Sequence, residues 1–307
     1  MTSLTTLSKL SGYSKATVSR ALSGNGYVSK EARELILDLA NQLDYTTNAI
    51  AQELSAGTTK NIGVVLPYVK HPFFSQILEG ILDKSFETGY KIVILPSNYN
   101  QNLEIQYLEQ LRKKAFEALI FTSREVSEET VLNYQKYGSI VLCHKPKSKN
   151  ISASYAERKT GYRKAFQWLK SQSYSNTGFL FSRAQSPTTS VTLQTYKETY
   201  KLPAQSEQIT TGAVSSLDGY RLAPKLTKFD SIFANSDDIA ANVWRWFEDQ
   251  KIPKPLIIGQ ENLVSGQLLN LPTVDNHFLQ VGRSAFDIAI SKEIKQTFIE
   301  SEFIIDR

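Results

Sequence analysis

From Asn61 onward the chain settles into short apolar runs separated by amphipathic stretches, and this alternation restricts the fold more than any other property of the sequence. The runs at 62–66, 91–95, 118–121 and 140–142 are too short for helices and are rich in β-branched and other apolar residues, which marks strands buried on both faces of a parallel sheet. Those at 178–181, 231–234 and 256–259 repeat the pattern. Helical segments between them supply the crossovers that parallel strands require, so the region is expected to form two doubly wound α/β lobes. A small ligand is then expected in the cleft between the lobes, at the carboxyl ends of their strands.

The preceding sixty residues read differently. Leu4, Leu7 and Leu10 recur at helical spacing, Gly12 suits the positive φ of a sharp turn, and Ser14 is placed to cap a second helix in which Val18 and Leu22 share an inward face. A turn at 23–26 leads to a third helix capped by Ser29, with Glu31 in its first turn and an apolar stripe of Ala32, Leu35, Ile36, Leu39, Ala40 and Leu43. The other side of the second helix carries Lys15, Ala16, Thr17, Ser19 and Arg20: donors, one small apolar contact and two positive charges, a surface suited to a DNA major groove. An ordinary helical hairpin with a polar outer face has the same spacing. Net charge does not decide between them. The chain is +5 overall, but residues 1–60 hold six Lys or Arg against five Asp or Glu. Phosphate contacts are therefore expected from a few local groups, Lys9, Lys15, Arg20 and Lys30. Asn48 is placed to cap a last short helix at 49–56 that stops at Gly57 and is too short to be stable without a partner.

The run Ser14-Lys15-Ala16-Thr17-Val18-Ser19-Arg20 resembles the helix-turn-helix of the lactose-repressor (LacI) family, Ala-Gly-Val-Ser, two variable residues, then Thr-Val-Ser-Arg; Ser11 and Tyr13 replace the usual Ala and Val. The resemblance implies that Ser14, Lys15, Ala16, Thr17, Ser19 and Arg20 contact DNA, with Lys15 and Ala16 at the positions that set base preference. It also implies that 49–56 is a hinge helix that pairs with its twin, adding Asn48 and a minor-groove wedge, Leu54, to the DNA-binding set. A packed leucine on a plain linker is the alternative. The family's Tyr-x-Pro-Asn stands here as Tyr45-Thr46-Thr47-Asn48.

Ile62-Gly63-Val64-Val65, His71-Pro72-Phe73-Phe74 and the run from Phe233 to Ala240 resemble the family's effector domain, itself similar to periplasmic sugar-binding proteins. The implied effector set is Phe73 and Phe74 as an apolar face, Ser236 and Asp237 for ligand hydroxyls, and Thr192, Glu261 and Asn276. Core packing for one Phe, and helix capping for Ser236 and Asp237, are the alternatives. Three positions depart from the pattern. Thr192-Leu193-Gln194-Thr195-Tyr196 lacks the arginine of Arg-Leu-x-Gly-Tyr/Phe, Gly259-Gln260-Glu261-Asn262 replaces Gly-Phe-Asp-Asp, and Glu157-Arg158 replaces an Asp-Asn pair, so that Arg158 offers a positive group from another side.

The expected organisation is a small all-α helix-turn-helix domain at 1–46, a hinge helix and linker at 47–60, and a two-lobed periplasmic-binding-protein-like domain at 61–307. One lobe comprises 61–156 and about 277–294, the other 157–276 and about 295–307. Cys143 is the single cysteine, expected as a buried thiol, and the three His are scattered; no metal, cofactor or catalytic residue is expected. With no apolar run near the roughly 18 residues of a membrane span and no signal peptide, no membrane partner and a cytoplasmic location are expected. The expected function is a sequence-specific regulator, a homodimeric repressor of carbohydrate-utilisation genes on a near-palindromic operator, controlled by a sugar or phosphosugar; a protein corepressor is left open. A free-standing sugar-binding protein and an enzyme on the same fold are the rivals.

Overall fold

The computed structural model describes residues 3–24, 26–46, 57–69 and 71–306. Contacts divide the chain into two units, 1–59 and 60–307. In the first, α1 (Leu4–Ser11), α2 (Lys15–Ser23) and α3 (Lys30–Gln42) each start at a serine. The hydroxyls of Ser3, Ser14 and Ser29 accept from the N–H groups of Thr6, Thr17 and Ala32 at 3.2, 3.1 and 3.3 Å. Each bond satisfies a donor that the helix start would otherwise leave open. Gly12 and Gly24 end the first two helices in the left-handed region, at φ +74° and +73°.

Leu7, Val18, Ala21, Ile36 and Ala40 form the core of this bundle, flanked by half-buried Leu4, Leu22, Leu39, Leu43 and Tyr45. Two expected core residues lie outside it: Leu10 is 57% exposed and Leu35 46%. The inward stripe of α1 runs through Leu7 to Ser11, four residues on, which leaves Leu10 turned to the side. On α3 the stripe follows Ala32, Ile36 and Ala40, and Leu35 falls on its flank.

The second unit holds two six-stranded sheets. The first is built from β1 (Asn61–Leu66), β2 (Lys91–Pro96), β3 (Ala118–Phe121), β4 (Ser139–Leu142) and β5 (Ser152–Glu157). The second is built from β6 (Thr177–Phe181), β7 (Ile209–Thr211), β8 (Ser231–Ala234), β9 (Leu256–Gln260) and β10 (Thr273–Asp275). Two further strands, β11 (Gln296–Glu300) and β12 (Glu302–Ile304), complete the orders β11-β5-β4-β3-β1-β2 and β12-β10-β9-β8-β6-β7. Among the described residues all strand pairs are parallel except β10 with β12. The helices are α4 (Pro72–Thr88), α5 (Gln101–Arg112), α6 (Glu128–Tyr134), α7 (Lys159–Ser171), α8 (Pro187–Tyr200), α9 (Ser216–Leu222), α10 (Asp237–Gln250), α11 (Val264–Leu268) and α12 (Phe278–Ser291).

The chain passes between the lobes after β5, after β10 and at Ser301. Ser301 ties two passages together: its hydroxyl accepts from Gly161 N–H and donates to Glu157 O, both at 2.9 Å. α12 packs on α4 in the first lobe, and the two helices touch at Gly80 and Gly282. A Cβ at either would stand 2.0 or 2.1 Å from a carbonyl oxygen of the facing helix.

Two expectations need correction. Residues 295–307 were expected in the second lobe, but β11 is the edge of the first sheet, with Phe298 opposite Tyr155, and only β12 joins the second. The open flank of β5 accepts a parallel strand, and the chain then crosses at Ser301. The run at 91–95 was expected to be buried, yet within it only Leu95 is, and Ile94 is 42% exposed, because β2 pairs with β1 alone and forms a sheet edge.

Candidate DNA-reading helix and effector cleft

On α2, Val18 and Ala21 point into the core, so Lys15, Ala16, Ser19 and Arg20 are left exposed on the opposite face and Thr17 is half-buried between them. Ser14, also exposed, is held as the cap, its hydroxyl 2.9 Å from that of Thr17. The structure thus brings six expected DNA contacts onto one helix and its cap. Lys9 and Lys30 are exposed as well. Tyr27 is almost wholly exposed next to this helix in sequence and was not singled out beforehand. Asn48 and Leu54 lie outside the described residues.

The cleft of the second unit is built where loops after the strands of both lobes meet. Gln76 of α4 donates through Nε2 to the carbonyl oxygen of Glu261 at 3.0 Å, which joins the lobes. Arg158, at the start of α7, lays its guanidinium over Phe73 and Phe278, 5.7 and 5.0 Å from the ring centroids. Those rings meet edge-to-face at 4.6 Å, a favourable placement of their quadrupoles. Arg158 Nη1 donates to Tyr162 Oη at 3.4 Å, Tyr162 donates to Gln260 Oε1 at 2.8 Å, and Gln260 donates to Ala234 O at 2.9 Å. Farther along the cleft the Arg183 guanidinium lies 4.9 Å from the Tyr99 ring centroid.

Two titratable groups are shifted here. Burial pushes Glu261 up to about 8, aided by Asp237 and Asp238 and opposed by Arg158 and Ser236. Burial and Arg158 hold His71 below the usual imidazole range, against the pull of Asp238. His71 also caps α4, its Nδ1 accepting from Phe73 N–H at 3.2 Å, so the ring keeps an unprotonated nitrogen. Glu261 sits at φ +84°, and among the described residues its Oε2 has no hydrogen-bond partner; Asn276 is 0% exposed and neither of its side-chain polar atoms has a partner among them. Buried polar atoms without partners are rare, and a ligand or an ordered water would satisfy them.

Phe73, Ser236, Glu261 and Asn276 are found at or beside this cleft, while three expected effector residues are engaged elsewhere. Phe74 is part of the first-lobe core. Thr192 is buried inside α8, its hydroxyl donating to Thr188 O at 2.9 Å. Asp237 is fully buried and accepts from Leu263 N–H at 2.7 Å and the Thr273 hydroxyl at 2.8 Å; it anchors the loop after β9, close against Gly259. Ser236 caps α10, accepting from Asp238 N–H at 3.3 Å. Gln76 and His71 were missed. Gln76 lies in the second turn of α4 and His71 caps that helix, with no local pattern to distinguish them from scaffold residues.

Cys143 is buried, which pushes its thiol up to about 12 and leaves it uncharged. Among the described residues no group of His, Cys, Asp and Glu is arranged to hold a metal ion, and no helix is long and apolar enough to cross a membrane.

A small capped three-helix unit with an open polar face, joined to two doubly wound lobes around a polar cleft, defines a regulator with a DNA-reading head and a ligand-binding core. Residues 4–48 match the family described as bacterial regulatory proteins of the lacI family, and residues 59–306 match the periplasmic binding proteins and sugar binding domain of the LacI family. The chain belongs to the LacI family of DNA-binding transcriptional regulators. Catabolite control protein B of Bacillus subtilis (strain 168) is 33% identical over 311 residues, covering 99% of both chains. The ribose operon repressor of Halalkalibacterium halodurans is 27% identical over 92% of this chain and 87% of its own. Among solved structures, the lac repressor dimer bound to operator and the anti-inducer ONPF superposes with a TM-score of 0.80 over 99% of this chain and 97% of its own; at 15% identity it shows the shared fold. The match over the N-terminal unit leaves the reading as a free-standing sugar receptor without support.

Proposed function

We propose that this protein is a cytoplasmic, homodimeric repressor of carbohydrate-utilisation genes, not an enzyme, and that a small effector in the interlobe cleft controls its grip on a near-palindromic operator. The observation that carries the reading is the face of α2, where Lys15, Ala16, Ser19 and Arg20 are exposed while Val18 and Ala21 hold the helix to its core. Two such helices would enter successive major grooves, with Asn48 and Leu54 of paired hinges at the central minor groove. The relatives named as repressors, and the lac repressor dimer on its operator, support the dimer and the repression.

The Gln76–Glu261 bond is a contact between the lobes that would be lost if they parted. An effector shifts the balance between closed and open only by binding one better than the other. A ligand that favours the state with unpaired hinges is therefore an inducer, and one that favours the paired state a corepressor. The test is selection of bound sequences from a random DNA pool by the purified full chain at stated salt. Enrichment of a near-palindrome is expected. A pool that stays flat, without ligand and with sugars and phosphosugars added, would contradict the proposal.

A further inference from the structure

We propose that the effector carries an anionic group, a phosphate ester or a carboxylate, that seats on Arg158, while its hydroxyl groups reach Asn276 and Glu261. This rests on the reading of the cleft as the effector site and names the chemical class that site takes.

Arg158 is half-buried and lies on the faces of Phe73 and Phe278, where water is displaced from one side of the guanidinium. Of the five N–H donors that an arginine carries, one has a protein partner among the described residues, Tyr162 Oη at 3.4 Å. Among the described residues no carboxylate comes within 4.0 Å of it as an ion pair. A charge partly removed from water without a counter-charge is unfavourable, and such arginines are suited to planar, two-pronged recognition of carboxylate or phosphate.

The acids nearby are directed elsewhere. Glu157 accepts from the Thr160 N–H and hydroxyl at the start of α7, Asp237 is held by Leu263 and Thr273, and Asp238 accepts from the Ser265 hydroxyl at 2.6 Å. Burial disfavours the charged form of Glu261 against the pull of Arg158, and among the described residues its carboxyl makes no ion pair or hydrogen bond with the Arg158 guanidinium. Asn276 adds an amide with both polar atoms unpartnered. A neutral sugar would satisfy Asn276 and leave Arg158 without a counter-charge, whereas a sugar acid or sugar phosphate satisfies both. Asn276 and Glu261 are 0% and 4% exposed, so entry requires the lobes to part.

The test is calorimetric titration of the full chain with matched pairs: ribose and ribose 5-phosphate, glucose and glucose 6-phosphate, glucose and gluconate, with inorganic phosphate alone. In at least one pair the charged member is expected to bind about tenfold or more tightly than the neutral one, and Arg158→Gln to abolish that preference while Arg158→Lys keeps part of it. The wild-type comparison needs no variant to fold. If neutral sugars bind as tightly as their charged partners, or the preference survives in Arg158→Gln, the assignment of Arg158 is overturned and the cleft stands as a site for neutral effectors. If no compound binds at millimolar concentration, the reading of the cleft falls with it.

Discussion

Replacing Arg20 with alanine is expected to weaken binding to the selected operator by on the order of 1–3 kcal/mol, roughly 5- to 150-fold, while the three-helix unit keeps its stability. Arg20 stands on the exposed face of α2, and its alkyl stem runs beside Gly26, where an added Cβ would lie 3.3 Å from Arg20 Cδ. None of the core residues of the bundle depends on it. An exposed side chain of this kind contributes about 0.5 kcal/mol or less to folding, so loss of affinity is not secondary to unfolding. Anisotropy titrations at several salt concentrations separate its possible partners. If Arg20 reads a base edge, the loss falls on the operator and spares scrambled DNA. If it holds a phosphate, the loss is uniform and the salt dependence shrinks by about one counter-ion. Unchanged affinity for both DNAs would remove Arg20 from the reading surface.

The stability of the wild-type chain is expected to fall by about 2 kcal/mol between pH 6.5 and 8, and Glu261→Gln to flatten that limb. In the folded chain Glu261 holds its proton up to about pH 8, against an ordinary value of 4.5. Between these values the folded state binds more protons than the unfolded, so stability declines as pH rises. The contribution is whole below 4.5 and lost above 8. His144 has the opposite sign. It is half-buried and accepts from Arg124 Nε at 3.0 Å, and desolvation followed by the Arg124 charge lowers it to about 4. Its contribution is whole above 6.5 and lost as pH falls through 4. The two oppose each other from 4.5 to 6.5, which leaves the limb above 6.5 to Glu261. Denaturant unfolding of both proteins across that range is the measurement. Parallel curves would mean that Glu261 ionises as it does in water.

The features legible in the sequence are those fixed by neighbours along the chain. Ser14 and Ser29 cap helices because a hydroxyl three residues before an N–H reaches it wherever the helix goes, and Gly12 turns the chain for a similarly local reason. Buried runs such as β3 and β8 announce themselves by composition. Strand β11 does not, since an edge strand with one covered face alternates burial and offers no apolar run. The effector cleft was legible only in part. Asp237 and Thr192 have the right polarity, but what decides their role is that Leu263, Thr273 and Thr188 use it first. Arg158 was noticed as a substitution, yet its setting on Phe73 and Phe278 arises from residues about 85 and 120 positions away, which no local pattern encodes.

The measurement that bears most directly on the central claim is a titration of the full chain onto the selected operator and onto a scrambled duplex of equal length, at one salt concentration, with the mass of the complex read by sedimentation. Two chains on one duplex, and a preference for the operator of about a thousandfold or more, are the expected result. A single chain per duplex would contradict the paired reading heads, and equal affinity for both duplexes would contradict sequence-specific regulation itself.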